Sequence, residues 1–155
     1  MILPTAADTR AYGERLASLL RAGDLVVLTG PLGAGKTALT QGIAAGLGVR
    51  GPVTSPTFIM ARVHPDGRVP LVHVDAYRLG GSDDLEGEID ALDLDVTAED
   101  AVTVVEWGTA VAHRLAEDYL EVQITRTADS DDRTATLVPH GPTWPTRLTE
   151  IPATA

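Results

Sequence analysis

The residues best suited to chemistry lie together in the first third of the chain, in the run Gly30-Pro31-Leu32-Gly33-Ala34-Gly35-Lys36-Thr37. The run fits the pattern G-x-x-x-x-G-K-[ST], in which glycines let successive backbone N–H groups point at one phosphate. Lysine adds a compact positive charge that reaches the outer phosphates of a nucleotide, and the next hydroxyl suits Mg²⁺. Lys36 is the only lysine in the chain. The pattern predicts a phosphate-binding loop (P-loop) anchored by Lys36, with Thr37 as a magnesium ligand.

The segments on either side of this loop have the patterns of a strand and a helix. Residues 25–29 are apolar and partly β-branched, as expected of a buried strand. After the loop, Leu39, Ile43 and Leu47 recur at i, i+4 and i+8 on one helix face, and Gly48 predicts the helix end. Strand, loop and helix in this order are the context that the motif requires, so an ordinary glycine-rich turn is the weaker interpretation.

Two acidic residues, Asp75 and Glu106, close apolar segments that read as strands. A P-loop uses a carboxylate from a neighbouring strand to complete the Mg²⁺ shell, directly or through water. Glu106 ends the more hydrophobic segment, where a bound ion would remove the cost of an unpaired carboxylate. For Asp75, an ion pair with Arg78 is the alternative. A packed strand histidine is the favoured interpretation of His73, which alternates with Asp75.

The remaining patterns predict an α/β domain with a mixed sheet that contains antiparallel hairpins. Alternating or apolar runs predict paired strands at 57–63 with 71–75 and at 120–125 with 133–138. Further predicted helices cover residues 8–21, with Asp8 as the cap, 82–92 and 109–117. Trp107 follows Glu106, so strand alternation predicts that it points away into the core or an interface. We expect a P-loop domain over residues 1–139 and a loose tail over 140–155, with Trp144 as the candidate residue for docking the tail.

Bulk properties restrict the class of function. The net charge of −10 argues against a broad nucleic-acid-binding surface, because phosphate backbones need basic patches. Zero cysteines exclude disulfides and thiolate chemistry. No apolar run approaches the roughly 20 residues that span a bilayer, and the first residues lack a signal-peptide pattern. These features predict a cytoplasmic protein without a membrane partner.

Four short motifs together resemble one known family. They occur in the order Gly33-Ala34-Gly35-Lys36-Thr37, Ser55-Pro56-Thr57-Phe58, His73-Val74-Asp75-Ala76-Tyr77-Arg78-Leu79 and Val105-Glu106-Trp107. The P-loop alone is common, but the set over roughly residues 9–138 resembles the TsaE family, also called YjeE. These are small bacterial ATPases of the tRNA threonylcarbamoyladenosine pathway. The resemblance implies a P-loop NTPase-like three-layer fold with an antiparallel addition, which agrees with the predicted hairpins.

The resemblance also implies site residues, cofactors and partners. Lys36, Asp75 and Glu106 would be catalytic, Thr37 and Glu106 would hold Mg²⁺, and Asp75 would lie beside the γ-phosphate of ATP. Ser55 and Thr57 would belong to a nucleotide-sensing segment. The ATP-binding residues implied are Thr9 near the base, Gly33, Ala34, Gly35, Lys36, Thr37 and Ala38 around the phosphates, and Arg133 near the nucleotide. The partners implied are TsaD and TsaB, which transfer threonylcarbamoyl to adenosine 37 of tRNA, so tRNA contact would be indirect. Pro31 departs from the aspartate usual there, at a position where backbone shape matters more than the side chain.

Two other nucleotide-dependent functions are alternatives to this one. A small-molecule or nucleoside kinase also uses a P-loop, but its lid carries arginine, and the corresponding region 83–100 has none. A regulatory GTPase would need an Asn-Lys-x-Asp motif to read guanine. That motif is impossible in a chain whose only lysine is Lys36. The patterns therefore favour an ATPase, with the kinase as the alternative.

Overall fold

The computed structural model describes residues 1–31, 33–54, 61–75, 98–107, 112 and 116–150. Three α-helices are described in full: α1 (Ala6–Ala17), α2 (Lys36–Gly46) and α3 (Trp144–Leu148), with a 3₁₀ turn at Ala98–Asp100. The described strands are β1 (Ile2–Leu3), β2 (Leu25–Thr29), β3 (Ala61–His64), β4 (Leu71–Asp75), β5 (Val102–Glu106), β6 (Tyr119–Arg126) and β7 (Arg133–His140). The helix predicted at 82–92 lies outside these described residues, as does most of the helix predicted at 109–117.

The seven strands form one mixed sheet in the order β1-β7-β6-β2-β5-β4-β3. The central strands β6, β2, β5 and β4 are parallel neighbours. At the edges, β7 pairs antiparallel with β6 and β3 pairs antiparallel with β4, so both predicted pairings are confirmed. Residues 57–60 of the strand predicted at 57–63 lie outside the described residues. Because β2, β5 and β4 are parallel neighbours, their carboxyl ends meet at one edge of the sheet, where ligands bind in open α/β sheets.

Hydrophobic side chains are buried on both faces of this sheet. Along β2, Val26 and Leu28 belong to one core cluster, and Leu25 and Val27 belong to the other. The apolar sides of α1 and α2 cover the Val26 face. The strands therefore read as continuous apolar runs, and each fully buried leucine stabilises the fold by about 1.5–3 kcal/mol.

The two long helices pack unusually close together. A Cβ atom added to Gly42 of α2 would lie 2.0 Å from the backbone oxygen of Arg10 in α1. Any larger residue at this position would push the helices apart. Close packing of this kind holds the amino end of α2 in a defined place beside α1.

The N-terminal segment differs from the prediction in three respects. The first helix begins at Ala6 with Thr5 as its N-cap, and Asp8 is its third residue instead of its cap. It ends at Ala17, four residues before the predicted end at Arg21. The pattern also missed β1, which pairs with β7, because a two-residue strand has no periodicity to detect.

The C-terminal segment is not the predicted loose tail in its described part. Residues Trp144–Leu148 form α3, and Trp144 is buried in the main core cluster. The guanidinium of Arg147 lies 4.0 Å from the Trp144 ring centroid, and its Nη2 lies 2.6 Å from Asp24 Oδ2. A long-range ion pair joins residues 123 positions apart, so no local pattern announces it. Among the described residues, no helix has the length and apolar character needed to cross a membrane.

Candidate nucleotide-binding site

The P-loop leaves the carboxyl end of β2 and leads into α2. A Cβ atom added to Gly30 would lie 2.2 Å from the backbone oxygen of Ile124, so only glycine fits there. Gly35 has φ +110 and ψ +18, a left-handed conformation that glycine adopts without strain, and it is the N-cap of α2. No side chain caps this helix. The first backbone N–H groups of α2 are therefore available to an anion, which the helix dipole also favours.

Lys36 is the first residue of α2 and lies inside the loop. Its Nζ donates hydrogen bonds to the backbone oxygens of Gly30 at 2.6 Å and Pro31 at 3.0 Å. The side chain is 5% exposed. Burial lowers the pKa of Lys36, and the nearby negative charges of Glu106 and Asp75 partly oppose that shift. The ammonium group of Lys36 therefore lies within the loop, against the loop's own backbone oxygens. This is the residue that the P-loop pattern predicts as the phosphate anchor.

The two predicted carboxylates lie side by side next to this loop. Asp75 and Glu106 are directly opposite in the β4–β5 pairing, and Glu106 is opposite Leu28 at the end of β2. Leu28 belongs to the cluster covered by α1 and α2, so side-chain alternation places both carboxylates on the same face as the P-loop helix. They are 5% and 4% exposed. The structure therefore brings together Lys36, Asp75 and Glu106, which the sequence separates by up to 70 positions.

Trp107 is not where strand alternation predicts it. Its φ of +62 is left-handed, so the chain turns out of the strand direction immediately after Glu106. The Trp107 ring consequently lies beside the loop, with its centroid 4.0 Å from Lys36 Nζ. A cation–π contact of this kind contributes about 0.5–2 kcal/mol. Alternation failed here because it holds only while the backbone remains extended.

Thr9 and Arg133 both lie against the loop. The Thr9 methyl carbon lies 3.7 Å from the position of a Cβ at Gly35, and its hydroxyl donates to the backbone oxygen of Thr5. Arg133, the first residue of β7, donates from Nη2 to the backbone oxygen of Gly33 at 3.4 Å. The two residues are distant from the loop in sequence, and the sheet and α1 bring them beside it.

The donor atoms at this site fit a magnesium ion. Within the described ranges, no group of three His, Cys, Asp or Glu side chains is placed to hold a metal. Mg²⁺ does not need such a cage, because it uses one or two carboxylates and completes its shell with water and phosphate oxygens. The half-buried Thr37 at the second position of α2, together with Asp75 and Glu106, offers only oxygen donors. Ser55 and Thr57 lie outside the described residues.

A strand, a glycine-rich loop and a helix on this parallel sheet core define the P-loop NTPase-like class of α/β proteins. A solved structure agrees: the crystal structure of Bacillus subtilis YdiB superposes with a TM-score of 0.78 at 29% identity, covering 97% of this chain and 91% of that chain.

Sequence comparison narrows the class to a family. The model of the family described as threonylcarbamoyl adenosine biosynthesis protein TsaE matches residues 3–135. The chain therefore belongs to the TsaE family, as its motifs suggested. The Streptomyces coelicolor protein named tRNA threonylcarbamoyladenosine biosynthesis protein TsaE is 57% identical over 144 residues, covering 88% of this chain and 94% of its own. The Mycobacterium tuberculosis protein of the same name is 53% identical over 139 residues, covering 86% and 83%.

One contact at the site was missed by reasoning from sequence. His73 Nε2 lies 2.6 Å from Glu106 Oε2, and the histidine side chain is fully buried. His73 is indeed a packed strand histidine, as predicted, but its partner is one of the two predicted catalytic carboxylates. The available signal was the two-residue spacing from Asp75, which places both side chains on one face of β4.

Proposed function

We propose that this protein binds ATP with Mg²⁺, hydrolyses it, and so supports threonylcarbamoyl transfer to adenosine 37 of tRNA by a TsaD–TsaB complex in the cytoplasm. One observation carries the proposal: an uncapped helix N-terminus, the single lysine and two buried carboxylates converge at the sheet edge. Membership of a tRNA threonylcarbamoyladenosine biosynthesis family supports the pathway.

The chemistry of the residues suggests a division of roles. The backbone N–H groups from Gly33 to Ala38 bind the β- and γ-phosphates, and Lys36 leaves the carbonyls of Gly30 and Pro31 to bind a phosphate oxygen. Thr37 and Glu106 would hold the magnesium ion, which would supply positive charge to neutralise the phosphates. Asp75, beside Glu106, orients the attacking water near the γ-phosphate. Arg133 and Thr9 contribute to nucleotide contact from the loop's edge.

The charge of the chain supports a role as an accessory subunit. With a net charge of −10, the protein is poorly suited to hold tRNA itself, so the partner complex would bind the tRNA. Hydrolysis by the isolated protein should be weak, because the transition-state donors are complete only when the partner is docked. ATP turnover measured with and without TsaD–TsaB tests this, and equal rates would contradict it. Phosphorylation of a small-molecule acceptor would instead indicate a kinase.

Substitution of the carboxylates separates their proposed roles. In Glu106→Ala we expect ATP to bind without its normal magnesium dependence. In Asp75→Ala we expect magnesium-dependent binding to persist while turnover falls by roughly 100-fold or more, the range for a positioned catalytic group. Calorimetric titration with ATP, with Mg²⁺ or with EDTA, and a phosphate-release assay measure the two properties separately. Identical profiles for the two variants would contradict the division of roles.

A further inference from the structure

We propose that His73 is a positioning residue for the magnesium site: its Nε2–H group holds the carboxylate of Glu106 in the orientation that a metal ion needs. The inference rests on the proposed function, since it assigns a role to a residue that touches neither the nucleotide nor the metal. His73 contacts the predicted metal ligand Glu106, and this contact determines the orientation of the Glu106 carboxylate.

The geometry of the sheet makes this contact possible. Glu106 is opposite Asp75 in the β4–β5 pairing. Two residues earlier on the same face of the sheet, His73 is opposite Val104. The histidine therefore reaches Glu106 diagonally across two adjacent strands. The distance of 2.6 Å from Nε2 to Oε2 is that of a short hydrogen bond to a charged acceptor. Both side chains are buried, at 0% and 5% exposure, so water does not compete for the bond.

The two ring nitrogens of His73 have different surroundings. Among the described residues, the buried His73 Nδ1 has no hydrogen-bond partner. An ionised carboxylate can only accept hydrogen bonds, so the proton of a neutral ring belongs on Nε2, facing Glu106. This arrangement occupies Oε2. A carboxylate that binds a metal through one oxygen then has Oε1 for the ion or its water.

Among the described residues, the opposite charges of the site make their hydrogen bonds with different partners. Burial lowers the pKa of Lys36, and the nearby carboxylate of Glu106 partly opposes that shift. Each nevertheless makes its hydrogen bonds elsewhere, Glu106 with His73 and Lys36 with the loop carbonyls. Metal-site carboxylates held in this way by a second residue typically lose roughly 10- to 100-fold in metal affinity when that residue is changed.

The test uses variants that differ in where the donor lies. His73→Gln places an amide N–H near the position of Nε2, whereas His73→Asn places it near Nδ1 and His73→Met removes it. Calorimetric titration of the full chain with a non-hydrolysable ATP analogue, at a series of Mg²⁺ concentrations and in EDTA, gives the magnesium midpoint and the metal-free affinity. Thermal melting verifies folding, and His73→Met replaces His73→Asn if the latter does not fold.

We expect His73→Asn and His73→Met to raise the magnesium midpoint roughly tenfold or more. His73→Gln should stay within about threefold of the wild type, and all three should bind the analogue in EDTA as the wild type does. His64 offers a matched control, since it is a buried histidine on the adjacent strand β3 whose Nε2 has no partner among the described residues. His64→Asn should leave the magnesium midpoint unchanged.

The failures of the two proposals are distinguishable. A wild-type protein that binds the analogue neither with Mg²⁺ nor in EDTA would overturn the proposed function and this inference with it. A wild type that binds normally, with unchanged midpoints in His73→Asn and His73→Met, would overturn the inference alone. Equal losses in the Gln and Asn variants would also overturn it, because a packing role does not depend on donor position.

Discussion

The amino end of α1 is capped by side chains, whereas the amino end of α2 is not. At α1, the Thr5 hydroxyl accepts a hydrogen bond from the backbone N–H of Asp8 at 3.1 Å, and the Asp8 carboxylate accepts one from the backbone N–H of Thr5 at 2.9 Å. At α2, Gly35 has no side chain to offer, and the first turn contains no acid. The first residue of α2 is instead Lys36, whose positive charge is unfavourable at a helix N-terminus.

The difference in capping suits the two helix ends to different roles, stability at α1 and anion binding at α2. A capping box satisfies two backbone donors, and a capping side chain contributes about 1 kcal/mol to stability. The amino end of α2 lacks that stabilisation. Its open donors, the glycine N-cap and the positive charge all favour a bound anion. The helix without a capping side chain is therefore the one proposed to bind the nucleotide phosphates, and close packing against α1 holds it in place.

The largest expected effect comes from removing the positive charge of Lys36 at the uncapped amino end of α2. Lys36→Ala should keep the fold, because alanine favours a helix and the apolar residues that α2 buries, such as Leu39 and Ile43, are unchanged. ATP affinity should fall by about 2–3 kcal/mol, the loss of a charged hydrogen bond, or roughly 30- to 150-fold. Calorimetry and circular dichroism measure the two outcomes. A Lys36→Ala protein with wild-type affinity would contradict the anchor role.

A smaller effect is expected from giving α2 the acid that α1 has. Asp8 is the third residue of α1, and Ala38 is the third residue of α2. Ala38→Asp should preserve or slightly raise thermal stability through the helix dipole, while ATP affinity falls roughly tenfold because the carboxylate repels phosphate. Ala38→Asn is the matched control of the same shape without the charge. Equal losses in both variants would attribute the effect to size and not to charge.

The smallest effect is expected at the capped amino end of α1. Thr5→Ala removes the cap of α1 and should lower the free energy of unfolding by about 1 kcal/mol. ATP affinity should not change, since Thr5→Ala keeps the Thr5 backbone oxygen that accepts the hydrogen bond of Thr9, the residue of α1 proposed to contact the nucleotide. Denaturant unfolding and calorimetry on the same samples measure both quantities. A loss of ATP affinity in this variant would show that the two helix ends are coupled through the α1–α2 contact.

Residues close in sequence made the binding loop predictable. The pattern from Gly30 to Thr37 predicts a phosphate-binding loop without any distant residue, because its glycines, lysine and hydroxyl group are neighbours in the chain. The hairpins were predictable for the same reason, since alternation and turn residues are local signals. The cap of α1 was placed three residues too late, because Thr5 and Asp8 both accept hydrogen bonds and the pattern does not say which comes first.

Contacts between distant segments could be known only from the tertiary structure. The apolar runs ending in Asp75 and Glu106 were visible, but only the β4–β5 register places the two carboxylates opposite each other and His73 against Glu106. Trp107 reaches Lys36 because one backbone angle turns the chain after β5, and Arg147 reaches Asp24 across the whole domain. Local sequence specifies which groups can bind a phosphate. Packing and strand register decide which distant groups stand beside it, because both depend on the folding of the whole chain.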